Sequence, residues 1–381
     1  MATPPTSKNQ LLPGIVRVLL LLATLYLFFF SIKLMGHSFK LFGKEFAERL
    51  VATTDNPFMG LAIGIFVTSL IQSSSTTTSI VVGLVAAGGL TLRNAIPIIM
   101  GANIGTTITN TIVSLAHLTR RNEFPRAFAG AIIHDVFNML AVAILLPIEI
   151  RFRTIEGVAS WLARQFTGVG GAKLFNPLNA IIKPTIALVD GVFEHLPHPQ
   201  VWMLIIALVV LFFSLGGMVK MLRALMVGRM EVLLGGFLFR SDLGSMVVGV
   251  VLTASVQSSS ITTSLVVPLV GAGLLTVRQI FPYVLGSNVG TTVTAILAAL
   301  ATQSPIAITA AFAHLMFNVF AIGILWWVKF IPIWLAENFA RLAVRSKKHM
   351  AVCLVCYFML YVLPLVLAML WRGRVGGGEG I

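Results

Sequence analysis

The chain has 381 residues, of which 57% are hydrophobic and only 10% charged, and its mean hydropathy is +0.95. A soluble domain carries about a quarter charged residues, so too few charges remain here to coat a water-facing surface, and lipid is the solvent for most of the chain. The formal charge of +14 does not mark a nucleic-acid surface. Lys and Arg gather in short connectors (Arg120, Arg121 and Arg126; Lys220, Arg223 and Arg229; Arg341, Arg345, Lys347 and Lys348), the distribution that orients a protein in a membrane.

In chain order, Gly14 to Lys33 is the first apolar run long enough to cross a bilayer core, which takes about 20 residues of helix. The stretch from Leu11 to Phe30 is longer than the apolar part of a signal peptide and no small-x-small site closes it, so it reads as a retained first helix. Phe39 to Val51 is charged and amphipathic, as is Met226 to Leu238, and both are expected at the membrane interface. Between about 57 and 90 an apolar segment is interrupted by Gln72-Ser73-Ser74-Ser75-Thr76-Thr77-Thr78-Ser79, a run of polar residues only. Long helices are then predicted over Asn94–Leu115 and Arg126–Pro147. The region 151–200, with Gly, Pro and several charges, reads as an extracytoplasmic linker holding short helices at Trp161–Phe166 and Leu174–Val192. Val201 to Val219 opens the next apolar unit. A second polar run, Gln257 to Ser264 with Ile261 as its one apolar break, lies within about 242–275. Met350 to Leu370 is the last apolar run. Its Cys353 and Cys356 read as small residues on a lipid-buried helix, because a redox or metal site needs polar surroundings and more ligands. The chain thus divides into a first repeat (1–150), the linker (151–200), a second repeat (201–349) and a C-terminal helix and tail (350–381).

The word repeat is literal. Thr68–Val113 aligns with Thr253–Ala298 without a gap, and 24 of the 46 pairs are identical. The identities are mostly Gln, Ser, Thr, Gly and Asn, so shared site chemistry and not shared greasiness carries the match. More loosely, His134-Asp135-Val-Phe-Asn138 echoes His314-Leu-Met-Phe-Asn318, and Gly14–Met35 pairs with Val201–Leu222. If each Gln-Ser-Ser-Ser region enters and leaves on one side, each half crosses an odd number of times and the second half is inverted. A cytoplasmic N-terminus then puts the three basic clusters inside and the charge-free turn Thr302–Pro305 outside. The expected fold is an all-α integral membrane protein of two inverted-topology repeats, each with a re-entrant helical hairpin.

A polar run in the middle of an apolar stretch points to a helix broken at membrane depth, and non-helical backbone there must line protein or water. The helix that restarts after the break, Ser75 to Val85, is entered through Ser caps. Its first N–H groups carry partial positive charge and suit an anion. Compact hydroxyls can surround a tetrahedral oxyanion, and the same oxygens are hard ligands for Na⁺. Neither run contains an acid, which argues against a site for cations alone. Gln72, Ser73, Ser74, Ser75, Gln257, Ser258, Ser259 and Ser260 are therefore the candidate substrate-binding residues, with Thr76, Thr77 and Thr262 in the surrounding shell. The plainer alternative, Ser and Thr as glue between packed helices, fits two matching polar runs poorly, because such runs in lipid are costly unless used. Gly101-Ala-Asn103-Ile-Gly105-Thr106-Thr107 and Gly286-Ser-Asn288-Val-Gly290-Thr291-Thr292 read two ways. They are small-residue packing surfaces, or Asn103, Thr106, Thr107, Asn288, Thr291 and Thr292 complete the ion shell. Arg93 and Arg278 are expected to snorkel to the interface, with electrostatic guidance of an anion as the sharper alternative. His134, Asn138, His314 and Asn318 are read as interhelical hydrogen-bonding groups. Asp135 is the one carboxylate predicted inside a membrane helix, and either a function or a contact to a nearby cation would account for it. A serine hydrolase is disfavoured: no Gly-x-Ser-x-Gly elbow exists, and duplication has no use for two nucleophiles. No cofactor and no transition metal is expected, only Na⁺. A non-transporting scaffold would lack the two costly polar runs.

The duplicated Gln-Ser-Ser-Ser segments, each followed by Gly-x-Asn-x-Gly-Thr-Thr, together with Arg126-Ala-Phe-Ala-Gly-Ala-Ile-Ile-His134-Asp135-Val-Phe-Asn138, resemble the type II sodium-dependent phosphate cotransporters. The resemblance spans roughly 57–149 and 240–331 and is closest to the short bacterial members. It implies import of inorganic phosphate coupled to Na⁺ by alternating access, with Gln72–Ser75 and Gln257–Ser260 lining the sites. It also implies inverted repeats, a cytoplasmic N-terminus, a homodimer and a multi-pass location, with a bacterial inner membrane the expected one. The rival is a channel or proton-coupled carrier for another small oxyanion such as sulfate. Two departures stand out. Electrogenic vertebrate members carry an Asp in the connector after the first Asn-Ile-Gly-Thr helix, where this chain has Arg120, with Glu123 the nearest acid, so the resemblance does not set the sodium stoichiometry. The large disulfide-bearing loop of those members is also missing, since 151–200 contains no Cys.

Overall fold

The computed structural model describes residues 8–120, 122–168, 176–236 and 241–376. Arg121, residues 169–175 of the linker and the last two residues of the Met226–Leu238 stretch lie outside the described residues, as do the side chains of Arg223 and Arg229. All regular elements among the described residues are helices. The first half runs α1 (Lys8–Phe42), α2 (Lys44–Thr54), α3 (Pro57–Ile71), α4 (Ser74–Ala87), α5 (Leu92–Gly105), α6 (Ile108–Leu115) and α7 (Phe124–Phe152). Two connecting helices follow, α8 (Thr154–Gly168) and α9 (Asn176–Phe193). The second half runs α10 (Pro199–Gly236), α11 (Asp242–Val256), α12 (Ser259–Gly271), α13 (Val277–Thr302), α14 (Pro305–Leu325) and α15 (Phe330–Ala343), and α16 (Lys347–Gly376) closes the chain.

Among the described residues seven segments are long and apolar enough to span a bilayer, with Leu92–Leu115 counted as one. Their outward faces carry large exposed apolar side chains, such as Leu19 and Leu22 on α1, Phe212 and Phe213 on α10, and Val355 and Leu367 on α16. Such faces are stable only against lipid, so this is a multi-pass membrane protein. By contrast α3, α4, α11 and α12 have 13 to 15 residues each. At 1.5 Å per residue they reach only about 20–23 Å, short of the ~30 Å hydrocarbon core.

The helix ends follow from local chemistry. Asn56 accepts a bond from Phe58 N ahead of Pro57, and Ser304 caps α14 ahead of Pro305. Thr276 and Gln279 form a reciprocal capping box at α13. Such caps satisfy N–H groups that the helix itself leaves unpaired.

Packing is equivalent in the two halves. α3 lies along α5, and α11 along α13. Glycines set both distances: a Cβ on Gly101 would sit 2.2 Å from the Leu61 carbonyl oxygen, and one on Gly286 would sit 1.9 Å from that of Met246. The repeated Gly-x-Asn-x-Gly segments are therefore close-packing surfaces, as their plainer interpretation required. The second helix of each short pair crosses into the opposite half. Val81, Val82 and Val85 of α4 join a core with Ala295, Ala298, Ala307 and Ala311 of α13 and α14, while Val267 of α12 meets Ala127 and Ala131 of α7. α1 and α10 pack on each other at the edge of the first of these cores.

Four expectations need adjusting. The helix over Asn94–Leu115 is interrupted at Thr106-Thr107, whereas its counterpart α13 is continuous. The two amphipathic stretches differ: Phe39–Val51 is divided at Gly43, with φ 84°, but Met226–Gly236 simply continues α10. The linker helix expected over Trp161–Phe166 is longer, Thr154–Gly168, and it is packed: Ile155, Ala159 and Ala163 are buried and Phe166 packs edge-on against Phe312 at 5.8 Å. Finally, α7 runs on past Pro147, so Glu149 is a second carboxylate within a spanning helix. Its oxygens accept from Ile155 N at 2.6 Å and Glu156 N at 3.1 Å, capping α8.

Candidate functional site

Both Gln-Ser-Ser-Ser segments fold the same way. Gln72 ends α3 in the left-handed region (φ 57°), with its N–H bonded to Thr68 O at 2.7 Å. Gln257 ends α11 with φ 58° and its N–H on Thr253 O, also at 2.7 Å. The next residue is extended and caps the following helix: Ser73 Oγ accepts from Thr76 N at 3.2 Å, and Ser258 Oγ from Ile261 N at 3.4 Å. A left-handed residue followed by an extended Ser cap reverses the chain within two residues. Ser and Thr at the restart are needed because the capping oxygen must be on a short side chain.

The fold brings the two turns together. Ser75 Oγ donates to Gln257 O at 3.2 Å, and Ser260 Oγ donates to Thr106 O at 3.4 Å, where α5 gives way to α6. Gln257 is held by Thr294, whose hydroxyl donates to Gln257 Oε1 at 2.6 Å, and its amide donates to Ala254 O. The two glutamines differ in setting: Gln257 is 5% exposed, while Gln72 is exposed. Ser74, Ser75, Ser259 and Ser260 are buried, and Ser73 and Ser258 are partly so.

The expected shell residues divide into two groups. Thr77 and Thr262 face back along the hairpins. Thr68 donates to Thr77 Oγ1 at 2.9 Å, and Thr262 shares a hydroxyl cluster with Thr253 at 2.7 Å and Ser287 at 3.0 Å. Tyr283 adds a bond to Thr262 O at 2.9 Å. These contacts brace the turns. Thr76 donates to Ser73 Oγ at 2.9 Å, inside the turn itself. Thr106, Thr291 and Thr292 donate to carbonyls of their own helices (Ala102, Ser287 and Val289), which leaves hydroxyl lone pairs as acceptors. Asn103 donates to Ile99 O at 3.0 Å, and its carbonyl accepts from Asn138 Nδ2 at 2.7 Å.

Asn288 anchors a network across the halves. Its Nδ2 donates to Asn138 Oδ1 at 2.8 Å, and its Oδ1 lies 2.5 Å from His134 Nε2. His134 and Asn138 are thus interhelical partners, as expected. Their counterparts are not. Asn318 Nδ2 turns back onto His314 O at 2.9 Å, and both His314 ring nitrogens and Asn318 Oδ1 are buried without a partner among the described residues.

Asp135 meets no cation among the described residues. It accepts from Tyr357 at 2.9 Å, from Tyr361 at 2.5 Å and from Thr107, and Thr111 donates to Tyr357 at 2.8 Å. Sequence reasoning missed Tyr357 and Tyr361 because α16 has no counterpart in the repeat. Two tyrosines one turn apart in an otherwise apolar helix were the available signal. Arg93 and Arg278 are exposed in the first turns of α5 and α13. In the connector, Arg120 donates to Glu123 at 2.9 Å and holds its carboxyl below the usual range, helped by His117 at 2.8 Å. Cys353 and Cys356 are free thiols, and no metal-holding group of His, Cys, Asp or Glu occurs among the described residues.

The arrangement has counterparts among known proteins. A family model described as Na+/Pi-cotransporter matches residues 27–163 and 210–331, which takes in both turns. The chain is 33% identical over 467 residues to sodium-dependent phosphate transport protein 2B of Homo sapiens, covering 96% of this chain and 67% of that one. It is likewise 33% identical over 445 residues to sodium-dependent phosphate transport protein 2A of Rattus norvegicus, covering 96% and 70%. No solved structure matches it. A match over both repeats and nearly the whole chain leaves one conclusion: the chain belongs to the Na+/Pi-cotransporter family.

Proposed function

We propose that the chain is a sodium-coupled secondary transporter, not an enzyme, that imports inorganic phosphate by alternating access. The contact of the two turns across the halves, Ser75 Oγ on Gln257 O at 3.2 Å, carries this reading. It joins two capped helix starts and their hydroxyls at one point, in a family whose relatives are named for sodium-dependent phosphate transport. Gln72–Ser75 and Gln257–Ser260 bind phosphate. Na⁺ and phosphate are further bounded by oxygens of Thr76, Thr106, Thr291 and Thr292 and by the amides of Asn103 and Asn288. Thr77, Thr262 and Thr107 hold the frame.

The short pairs α3–α4 and α11–α12 act as re-entrant hairpins in repeats of opposite orientation. Four contacts support this. Asn94, just after the first hairpin, donates to Val51 O at 3.0 Å, and Lys33 near the same end of α1 reaches Thr302 O at the α13–α14 turn. The open end of the second hairpin instead meets Arg126 at Gly273 and Lys329 at Asp242. With the basic connectors inside, the first hairpin opens outward and the second inward. The halves are not in equivalent positions: Gln72 is exposed and Gln257 buried, and His134 and Asn138 reach Asn288 across the halves, whereas the His314 ring and Asn318 Oδ1 have no partner among the described residues. Transport exchanges these two arrangements. Sodium enters first and supplies the positive charge that admits a phosphate dianion. Each net positive charge carried inward gains ~2.3 kcal/mol per 100 mV, so coupling two Na⁺ to HPO₄²⁻ is electroneutral and three is not. A homodimer in a bacterial inner membrane completes the proposal.

Uptake of ³²P-phosphate by proteoliposomes is expected only with an inward Na⁺ gradient; sodium-independent uptake, or none, overturns the proposal. Sulfate should compete poorly against phosphate. Equal competition would favour the general oxyanion carrier instead.

A further inference from the structure

A second concentration of anion-binding chemistry lies away from the turns. A cavity of about 630 Å³ opens between α1, α9 and the far ends of α4 and α13. Lys33 and Lys40 of α1 and Lys183 of α9 line it, with His37 and Asp190. Among the described residues Asp190 is the one carboxylate lining it, and it sits 3.2 Å from His37 Nε2. Three lysine side chains against one carboxylate leave a surplus of two positive charges. Lys33 is half-buried, and its only hydrogen bond among the described residues is a long one, 3.4 Å, to Thr302 O. Lys40 and Lys183 stand close enough to act on its charge, and neither has a carboxylate partner among the described residues.

Like charges do not converge on a cavity without a cost, and here apolar side chains deepen it. Ile32 and Ile182 on the walls are 1% exposed. A poorly hydrated wall strengthens repulsion between the lysines and equally strengthens their attraction for an anion. Topology does not require the cluster either. The cavity shares its end of the molecule with the α13–α14 turn, which the proposed orientation places outside, where basic residues have no orienting role. Ala86 and Ala87, at its edge, end the helix that Ser74 begins, so the cavity lies about 20 Å along α4 from the first turn.

We propose that this cavity is a second anion site that takes a phosphate group. A phosphate dianion matches the charge surplus, and ammoniums are point-charge partners that accept it from several directions. The volume exceeds what a bare phosphate fills, so the group can come from free inorganic phosphate held at the outer mouth or from the headgroup of an anionic phospholipid. The side on which the site lies rests on the orientation proposed above; its binding chemistry does not.

The test measures binding of ³²P-labelled inorganic phosphate at millimolar concentration to the purified full-length protein in sodium-free choline buffer, by equilibrium dialysis. Wild type should bind, Lys40→Gln/Lys183→Gln should bind about tenfold more weakly, and Lys40→Arg/Lys183→Arg should retain binding. Added choline chloride should weaken binding by screening. Both lysines in the Gln variant are exposed, so the fold should hold, and the Arg variant checks that charge alone is read out. In a parallel arm the protein is placed in phosphatidylcholine nanodiscs with and without phosphatidylglycerol. If a headgroup fills the site, phosphatidylglycerol abolishes phosphate binding, and the Gln variant co-purifies with less of that lipid by mass spectrometry. Equal retention of both phosphate and phosphatidylglycerol by wild type and the Gln variant overturns the site. Because the assay contains no sodium and reads binding alone, loss of sodium-driven uptake with this binding intact counts against the transport proposal alone.

Discussion

At the scale of the residue, position within the turn decides what each polar side chain can do. Ser73 and Ser258 spend an acceptor on capping, while Ser75 and Ser260 reach across to the opposite half. Ser75→Ala or Gln257→Ala should raise the phosphate KM of sodium-driven uptake about ten- to a hundredfold, since a hydrogen bond to a charged group contributes ~1.5–3 kcal/mol. Thr294 orients Gln257 from behind. Thr294→Val should therefore raise KM more modestly, by about threefold, and Thr294→Ser should restore it; an unchanged KM in Thr294→Val would show that the orientation does not matter. The candidate substrate residues were legible because eight polar residues in an apolar segment have no inexpensive structural explanation. The split of the shell was not. Thr77 and Thr106 look alike in the sequence, yet one braces a hairpin and the other borders the crossing point. Side-chain direction at a broken helix depends on the turn that breaks it.

At the scale of the element, the interruption between α5 and α6 is the clearest departure from the repeat. Gly105-Thr106-Thr107 and Gly290-Thr291-Thr292 are identical, but only the first ends its helix. Local propensity cannot distinguish them. The difference is tertiary: Thr107 bonds to Asp135, which Tyr357 and Tyr361 of α16 also hold, whereas the residue matching Asp135 is Leu315 and α16 has no twin. Tyr357→Phe and Tyr361→Phe should each destabilise the purified protein by ~1–2 kcal/mol, because each removes one donor from a buried acceptor. A fall in the thermal unfolding midpoint checks this, and no fall in either variant would mean α16 is held by apolar contact alone. Gly286→Ala tests a different element contact. Its Cβ would meet the Met246 backbone, which cannot swing aside as a side chain can, and overpacking of this kind costs ~1–3 kcal/mol. Gly216, whose added Cβ would meet nothing within 4 Å, is the matching control: Gly216→Ala should leave the midpoint in place.

At the scale of the whole molecule, the two halves are alike in sequence and unlike in position. If transport exchanges their arrangements, Gln72→Cys should react readily with a water-soluble maleimide while Gln257→Cys resists, and Na⁺ with phosphate should narrow or reverse that difference. Labelling rates that are equal at both positions and indifferent to substrate would count against an exchange. Composition, duplication and the two polar runs determined by themselves that the chain lies in lipid, that it is built twice and where its unusual chemistry sits, because hydropathy, identity and the cost of burying hydroxyls are properties of short stretches. Tertiary structure alone decided that the two turns touch, that His134 pairs with Asn288 while the His314 ring pairs with nothing among the described residues, that α8 is packed into the body, and that lysines from α1 and α9 share one cavity. Those outcomes depend on which helices become neighbours. Ser75 and Gln257 meet across 182 positions of chain only because α4 and α12 each cross into the opposite half.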